Sequence, residues 1–369
     1  MSASQPRVSL EKMDKEVGIV NHLVTRSIRE FLKTMNLVSE TYLSQVLVAL
    51  WDSGFYEYVR DNEQVEIKVA AEDLDLDPII LQSLIEYLVG RGLMEPEGDG
   101  FVLSNKGKPY WNYLTRGLLI SHVAGYNALL TRLGPLLRKE INLYDPSLDR
   151  SARHVAVGAG YTLLGSCTAP WVLSVINKFG GKCVMDFGCG AGDFLIQLAL
   201  NWPYGKGVGI DMSAEAINEA KGKAYDYGVS ERVEFHQAKL SAEPLNIQKE
   251  VLDSVDTLTA MFVLHEFGGS GGAESISQIL SALHMHFPGR KLVIAEATPA
   301  DPYELCTSPP PSYSQLDYSF FHPLSRQGPL RTPEEWKQII NKAGAKLIER
   351  IPGFKLVPSW ISLYVVEMN

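Results

Sequence analysis

The chain has 369 residues, of which 46% are hydrophobic and 21% are charged, and 34 Lys and Arg against 43 Asp and Glu give a formal net charge of −9. This composition is that of a globular protein of about two domains, and it excludes a fibrous or wholly disordered chain. The acidic balance gives no general attraction to nucleic acid or to anionic membranes. The chain shows no signal-peptide core, no membrane-spanning run and no CxxC pair. We therefore expect a cytoplasmic protein that binds neither nucleic acid nor membrane.

Residues 1–110 are predicted to form a helical domain that ends in a hairpin. Amphipathic helices are predicted over 16–35 and 40–53, followed by a short strand, a helix over 70–74, a longer helix over 78–89 and a hairpin. This is the order of a winged helix. The segment carries 11 Lys and Arg against 18 Asp and Glu, and the helix over 78–89 has no basic residue. Because a protein that reads DNA must neutralise phosphates, we expect a packing or dimerisation module instead.

Strands alternate with helices from residue 166 to residue 369, after a helical linker over 111–165 that is expected to contribute to the substrate cleft. Seven strands are predicted at KCVMDFG, GKGVGID, RVEFHQA, VDTLTAMF, KLVIAEA, AKLIERI and ISLYVVEM. This alternation is typical of an α/β fold with a doubly wound, mostly parallel, Rossmann-like sheet, in which the last two strands form an antiparallel edge pair. Ligands of such sheets bind at the carboxyl ends of the strands.

A glycine-rich turn follows the first of these strands and reads Asp186-Phe-Gly188-Cys-Gly190-Ala-Gly192. Glycines at this place let the backbone approach a ligand, and the helix that follows directs its N–H groups at it. Asp211 ends the next strand, where its carboxylate suits the two hydroxyls of a ribose. The acid before the glycines disfavours a pyrophosphate and favours a cationic ligand, unlike the G-x-G-x-x-G turn of dinucleotide-binding folds.

This arrangement resembles the class I S-adenosylmethionine-dependent methyltransferases over about residues 182–369. The resemblance implies that S-adenosylmethionine is the cofactor, and that the residues binding it include Asp186, Gly188, Gly190, Asp211 and Phe262. One position departs from the family pattern, because Lys239 stands where the family has an acid after the third strand. Recognition of the adenine would then fall to Gln237, to Lys239 itself or to backbone groups.

His265 and Glu266 follow the fourth strand of the sheet. Together with the N-terminal domain, this pair resembles the dimeric small-molecule methyltransferases, including the plant-type O-methyltransferases, in which a His-Asp pair sits here and the histidine is the general base. The resemblance implies a homodimer formed through the N-terminal domain. It also implies that His265 takes a proton from a phenol as the methyl group transfers.

A second histidine, His322, is predicted in the long loop before the last helix and opens a different possibility. Two histidines and a carboxylate, here His265, His322 and Glu266, can form a facial metal site with open positions for a chelating substrate. This pattern resembles the metal-dependent 2-oxo acid C-methyltransferases, which implies a bound metal, iron or zinc, that stabilises the enolate of a small 2-oxo acid. The metal-independent O-methyltransferase stays open as the alternative, with Glu266 then only orienting His265.

A substrate carboxylate would require a cation beside the cleft. Arg150, Arg153 and Arg326 are the candidates, since two of them precede the fold and the third lies in the same segment as His322. Glu296, which ends the fifth strand, is interpreted as structural or as an acid at the rim of the site.

Overall fold

The computed structural model describes residues 22–143, 145–148, 161–239, 245, 247–269, 271–301, 313–325, 328–353 and 359–368. The chain divides into two compact units, Met1–Trp111 and Asn112–Asn369. Arg150, Arg153 and Arg326, the candidates for holding a substrate carboxylate, lie outside the described residues. None of the helices in the described part combines the length and hydropathy needed to cross a membrane.

The first unit is mainly helical. Its elements are α1 (His22–Asp52), α2 (Phe55–Asp61), α3 (Ile67–Asp73), α4 (Pro78–Gly90), β1 (Met94–Glu97) and β2 (Gly100–Leu103). The Asp77 side chain accepts hydrogen bonds from the N–H groups of Ile79 and Ile80 at 2.8 and 3.0 Å and so fixes the start of α4. The two strands form an antiparallel hairpin in which Glu97 lies opposite Gly100, as predicted.

Helix α1 corrects one prediction in this unit. Two helices were expected, over 16–35 and 40–53, whereas the described residues form one helix of 31 residues. The sequence Asn36-Leu-Val-Ser39 contains no proline or glycine. The helix therefore continues through it, because only those two residue types carry a large penalty in a helix interior.

The second unit begins with short helices and continues as a seven-stranded sheet with helices packed on it. The short helices are α5 (Tyr113–Leu119), which runs into a π-helical turn (Ile120–Gly125), α6 (Asn127–Leu130) and α7 (Leu133–Leu137). The other helices are α8 (Tyr161–Lys178), α9 (Asp193–Asn201), α10 (Ala214–Asp226), α11 (Lys249–Ser254), α12 (Gly272–His286), α13 (Tyr313–Leu324) and α14 (Pro333–Lys342).

The strands are β3 (Cys183–Phe187), β4 (Lys206–Asp211), β5 (Val233–Gln237), β6 (Thr257–Met261), β7 (Lys291–Ala297), β8 (Lys346–Pro352) and β9 (Ile361–Glu367). Their order in the sheet is β5-β4-β3-β6-β7-β9-β8, with β3 to β7 parallel and β9 antiparallel to both of its neighbours. The predicted mostly parallel α/β sheet is confirmed. The last two strands pair as expected. Strand β9 lies between β7 and β8, because its residues are apolar on both faces and buried, whereas β8 is largely exposed and forms the edge of the sheet.

Both faces of the sheet are covered by apolar clusters. Val184 of β3 packs in the cluster that includes α8, α9 and α10, and Met185 packs on the opposite face with α12 and α14. Successive side chains of a strand point to opposite faces, which explains this alternation. The parallel strands thereby bring their carboxyl ends to one edge, where the polar residues described next are found.

Candidate active site

The three glycines after β3 have positive φ angles of 69°, 54° and 79° at Gly188, Gly190 and Gly192. A Cβ on Gly188 would lie 2.4 Å from Cγ2 of Val263, and one on Gly192 would lie 2.8 Å from Cζ of Phe235. A Cβ on Gly190 would meet nothing within 4 Å. The outer glycines are therefore required by packing, whereas the middle one borders open space of the kind that a bound ligand would fill.

Asp211, at the end of β4, holds this turn in place. Its Oδ2 accepts a hydrogen bond of 3.0 Å from the backbone N–H of Gly190, and its Oδ1 accepts one of 2.9 Å from the N–H of Ser213. Gln237 is paired with Asp211 in the sheet, and its side-chain amide donates to the carbonyl of Met212 at 3.2 Å. Asp211, Gln237 and the glycine turn are thus brought together, and Lys239 is exposed two residues beyond the end of β5.

Asp186 is 1% exposed, and its Oδ1 accepts a hydrogen bond of 2.7 Å from the hydroxyl of Thr259 on the adjacent strand β6. Burial raises the pKa of this carboxyl to about 8; the Thr259 hydrogen bond opposes the increase and the negative charge of Asp211 adds to it. A buried carboxyl of this kind is stabilised as the anion by a neighbouring cation, such as the ammonium or sulfonium of the expected donor.

Phe262 immediately follows β6 and adopts a positive φ of 57°, which is rare for a residue other than glycine. Its side chain is buried, and its N–H donates to the carbonyl of Ala295 at 2.9 Å. This turn ends the strand and redirects the chain into the 3₁₀ helix Leu264–Gly268, which carries His265.

His265 and Glu296 form a buried pair at the carboxyl ends of β6 and β7, and each side chain is 1% exposed. The Nδ1 of His265 lies 2.7 Å from Oε2 of Glu296, and the His265 backbone N–H donates to Oε1 at 3.2 Å. Because a carboxylate oxygen only accepts, the ring hydrogen is on Nδ1 and the lone pair is on Nε2. That Nε2 is buried and has no hydrogen-bond partner among the described residues, which is the state of a general base before its substrate binds.

Glu266, by contrast, is exposed. The sequence pointed to Glu266 as the carboxylate acting with His265, whereas the structure brings Glu296 to that histidine. Adjacent residues of a 3₁₀ helix point in different directions, while β7 is the direct neighbour of β6 and ends at the same edge. The sequence indicated Glu296 only as a structural residue or an acid at the rim of the site, and its pairing with His265 follows from the adjacency of β6 and β7 in the sheet.

His322 lies on α13, near its C-terminal end, and not in a loop as expected. Its ring centroid is 4.5 Å from that of His265, at an interplanar angle of 70°, and the side chain is fully buried. Its Nδ1 donates to the carbonyl of Tyr318 at 2.6 Å, so the lone pair of this ring is also on Nε2. The predicted encounter of the two histidines is therefore present, and the ring of Tyr318 borders both.

The three predicted metal ligands, His265, Glu266 and His322, do not come together in the structure. His265 and His322 are buried and adjacent, but Glu266 is exposed. Within the described ranges, no three His, Cys, Asp or Glu side chains are grouped so that they could hold a metal ion. The described residues therefore do not fit the metal site that the sequence predicted.

Comparisons with known proteins agree with this geometry. Residues 178–343 match the sequence model of a family described as a methyltransferase domain. A methyltransferase named ungE' from Aspergillus campestris is 25% identical over 256 residues, which are 68% of this chain and 71% of that protein.

Solved structures show the same fold at low sequence identity. The mitomycin 7-O-methyltransferase MmcR superposes with a TM-score of 0.64 at 13% identity, covering 94% of this chain and 99% of that one. Human N-acetylserotonin methyltransferase, in complex with S-adenosylmethionine, gives 0.63 at 16% identity, covering 92% and 97%. The chain has the fold of these methyltransferases. It is an S-adenosylmethionine-dependent enzyme.

Proposed function

We propose that the enzyme methylates a hydroxyl group of a small-molecule acceptor, with His265 as the general base. The observation that carries this proposal is the His265–Glu296 pair, in which a 2.7 Å bond at Nδ1 leaves the buried Nε2 as a proton acceptor. S-adenosylmethionine supplies a methyl group on a sulfonium. The glycine turn, Asp186 and Asp211 are the residues that would hold it.

In this reaction the acceptor O–H gives its proton to Nε2 of His265. With a donor bound, the acceptor oxygen would form its bond to the methyl carbon, and sulfur would keep the electron pair of the sulfur–carbon bond that breaks. Glu296 stabilises the positive charge that the imidazole gains. The burial of His265, Glu296 and His322 excludes water from the proton transfer, which strengthens the electrostatic interactions among them.

C-methylation of a small 2-oxo acid is the second candidate, and the contact between His265 and His322 favours it. One imidazole would remove the proton from the carbon beside the keto group, and the other, when protonated, would donate a hydrogen bond to the enolate oxygen. Iron or zinc at these histidines stays a prediction from the sequence, and the exposed position of Glu266 does not support it.

Substitution of His265 by glutamine tests whether His265 takes part in catalysis, as both candidate reactions require, or has only a structural role. We expect His265→Gln to reduce transfer of a labelled methyl group by about 10²–10⁴-fold while donor binding, measured by calorimetry, is kept. A panel of phenols and 2-oxo acids, followed by product analysis, shows whether oxygen or carbon is methylated. Undiminished turnover by His265→Gln would contradict the proposal.

A chelator distinguishes the two acceptors further. Full activity on a phenol in the presence of chelator supports the base mechanism. Activity confined to 2-oxo acids, with a stoichiometric metal that is lost in His322→Ala, would overturn it in favour of carbon methylation.

We also propose that the N-terminal unit is a winged-helix dimerisation module in a cytoplasmic homodimer. The order α3, α4 and the β1–β2 hairpin supports the winged helix. Exposed apolar side chains on α1, among them Phe31 and Leu37, support the dimer, because such side chains are usually covered.

A further inference from the structure

Thr259 carries a buried hydroxyl that lies within reach of two different acceptors. The residue is fully buried on β6 and is the register partner of Asp186 on the adjacent strand β3. Its Oγ1 lies 2.7 Å from Oδ1 of Asp186 and 3.4 Å from the carbonyl oxygen of Met185. Because a hydroxyl has one hydrogen and two lone pairs, it can donate to one of these oxygens while it accepts from another group.

These contacts suit both protonation states of the Asp186 carboxyl. When the carboxyl is an anion, the Thr259 hydroxyl donates to its Oδ1. When the carboxyl is a neutral acid, its own O–H donates to Oγ1 of Thr259, and the Thr259 hydrogen turns to the carbonyl of Met185. Since a buried polar group without a hydrogen bond is costly, a partner that serves both states lets the buried carboxyl exchange its proton.

The surroundings of Asp186 favour the neutral acid while no donor is bound. The carboxyl is buried, and the charged group that acts on it is the carboxylate of Asp211 on β4. Burial and a like charge both disfavour the anion. The glycine turn and the helices packed on this face of the sheet add two thiols and one ion pair, those of Cys189 and Cys167 and that of Asp193 with Lys223 at 3.1 Å. Both thiols are neutral, because burial raises the pKa of each.

A bound donor would reverse this preference. S-adenosylmethionine carries an ammonium and a sulfonium, and an opposite charge within about 4–6 Å favours the anion of a carboxyl even without direct contact. The inference below therefore rests on the proposed place of the donor beside the glycine turn and Asp186.

We propose that Thr259 is a positioning residue for donor binding, which accepts a hydrogen bond from Asp186 in the donor-free enzyme and donates one to it when the donor is bound. Each donor that binds then displaces one proton from Asp186. The O–H bond of the carboxyl breaks, its electron pair stays on the carboxylate, and the proton goes to the buffer.

Calorimetric titration of the donor-free enzyme with S-adenosylmethionine, in buffers of different ionisation enthalpy, counts the protons released. We expect the wild type to release about one proton per donor at pH 7, and fewer as the pH rises through about 8. His265→Gln should release the same number, because it changes methyl transfer and not donor binding, so a failure of the base mechanism leaves this count unaffected. A wild type that binds the donor at pH 7 without releasing a proton would overturn the proposal.

Variants of Thr259 test the hydroxyl itself. Thr259→Val should bind the donor at least about tenfold more weakly, the loss expected when a hydrogen bond to a charged group is removed, whereas Thr259→Ser should bind it as the wild type does. The pH of half-maximal proton release should rise in Thr259→Val, because the Thr259 hydrogen bond lowers the pKa of Asp186. A purely structural role of the hydroxyl would leave this pH unchanged.

Thr257→Val is the matched control for Thr259→Val. Thr257 is equally buried on the same strand, and its hydroxyl donates to Oδ1 of Asp256 at 2.8 Å, so this variant also removes a buried bond to a carboxylate. We expect it to keep the donor affinity and the pH of proton release of the wild type. Equal donor affinity and equal pH of release in Thr259→Val and Thr257→Val would overturn the proposal. If Thr259→Val does not fold, the count for the wild type and the affinity of Thr259→Ser still decide it.

Asp186→Asn separates this inference from the proposed place of the donor. Weaker donor binding by Asp186→Asn, together with wild-type binding and an unchanged pH of release in Thr259→Val, would overturn the role of Thr259 alone. Donor binding by Asp186→Asn as tight as that of the wild type would show that the donor does not lie beside Asp186, and would overturn both.

Discussion

Glu296 shows how a single side chain determines what a neighbouring histidine can do. Its two oxygens bond both the ring and the backbone of His265, which fixes the ring position and the site of its hydrogen. The sequence identified His265 from its place after the fourth strand. It could not identify the partner, because adjacency along the chain favoured Glu266 while adjacency in the sheet favours Glu296.

Glu296→Gln is expected to lower kcat by about 10²–10⁴-fold, because the imidazolium loses the charge that stabilises it. The KM for S-adenosylmethionine should remain unchanged, since Glu296 contacts His265 and not the donor turn. Steady-state kinetics with a labelled methyl group measures both. Glu266→Gln, an equal change at an exposed position, is the control and should retain activity; a similar loss in both variants would argue against the assigned pair.

Asp186 gives the donor-free protein a pH-dependent stability. Its carboxyl has a pKa of about 8 in the folded protein because of burial, whereas an unfolded chain has about 4. The folded state therefore binds more protons between these values. The contribution of Asp186 to stability is full below about pH 4 and is lost as the pH rises through about 8.

We expect the wild type to lose stability relative to Asp186→Asn between pH 5 and pH 8, by up to about 1.4 kcal/mol per pH unit. Denaturant unfolding of both proteins without donor measures the difference. Parallel pH profiles of the two proteins would show that the carboxyl is not perturbed by folding.

In the glycine turn, different positions serve packing and ligand binding: Gly188 is needed for packing, whereas Gly190 borders the space for the ligand. Gly188→Ala would place a Cβ 2.4 Å from Val263 at a φ of 69°, so we expect it to destabilise the protein by about 2–4 kcal/mol. Gly190→Ala meets open space and should cost only about 1–2 kcal/mol for its positive φ.

For donor binding we expect the opposite order: Gly190→Ala, which destabilises the fold less than Gly188→Ala, should weaken S-adenosylmethionine binding more. In Gly190→Ala the added Cβ enters the space left for the ligand, so a folded variant with weaker S-adenosylmethionine binding is expected by calorimetry. Unaltered donor affinity in a folded Gly190→Ala protein would show that the ligand does not approach this turn.

The elements with strong periodicity were predictable, and those determined by distant contacts were not. The strands of the sheet and the hairpin at 97–100 follow from apolar runs and turn residues. Helix α13 was predicted as part of a long loop, whereas the structure forms a helix there that accommodates Pro323 next to its last residue. The two histidines met nonetheless, since both elements lie at the carboxyl edge of the sheet.

At the scale of the whole molecule, the exposed apolar side chains of α1 bear on whether the protein forms a dimer. Phe31 and Leu37 are 62% and 71% exposed. We expect Phe31→Glu with Leu37→Glu to convert a dimer to monomers in size-exclusion chromatography with light scattering, because burying the two carboxylates is costly. Met285→Glu, at an apolar residue of the second unit that is 68% exposed, should leave the dimer intact. A monomeric wild type, or a double variant of unchanged mass, would contradict the dimer.

The place of β9 in the sheet has a consequence for the order in which the sheet can be completed. Strand β7 carries Glu296, and its register partner Ser362 belongs to β9, which is translated some 65 residues later. A chain that ends before Ile361 would contain the glycine turn and β6, but β7, which carries Glu296, would lack the second of its two neighbours and become an edge of the sheet.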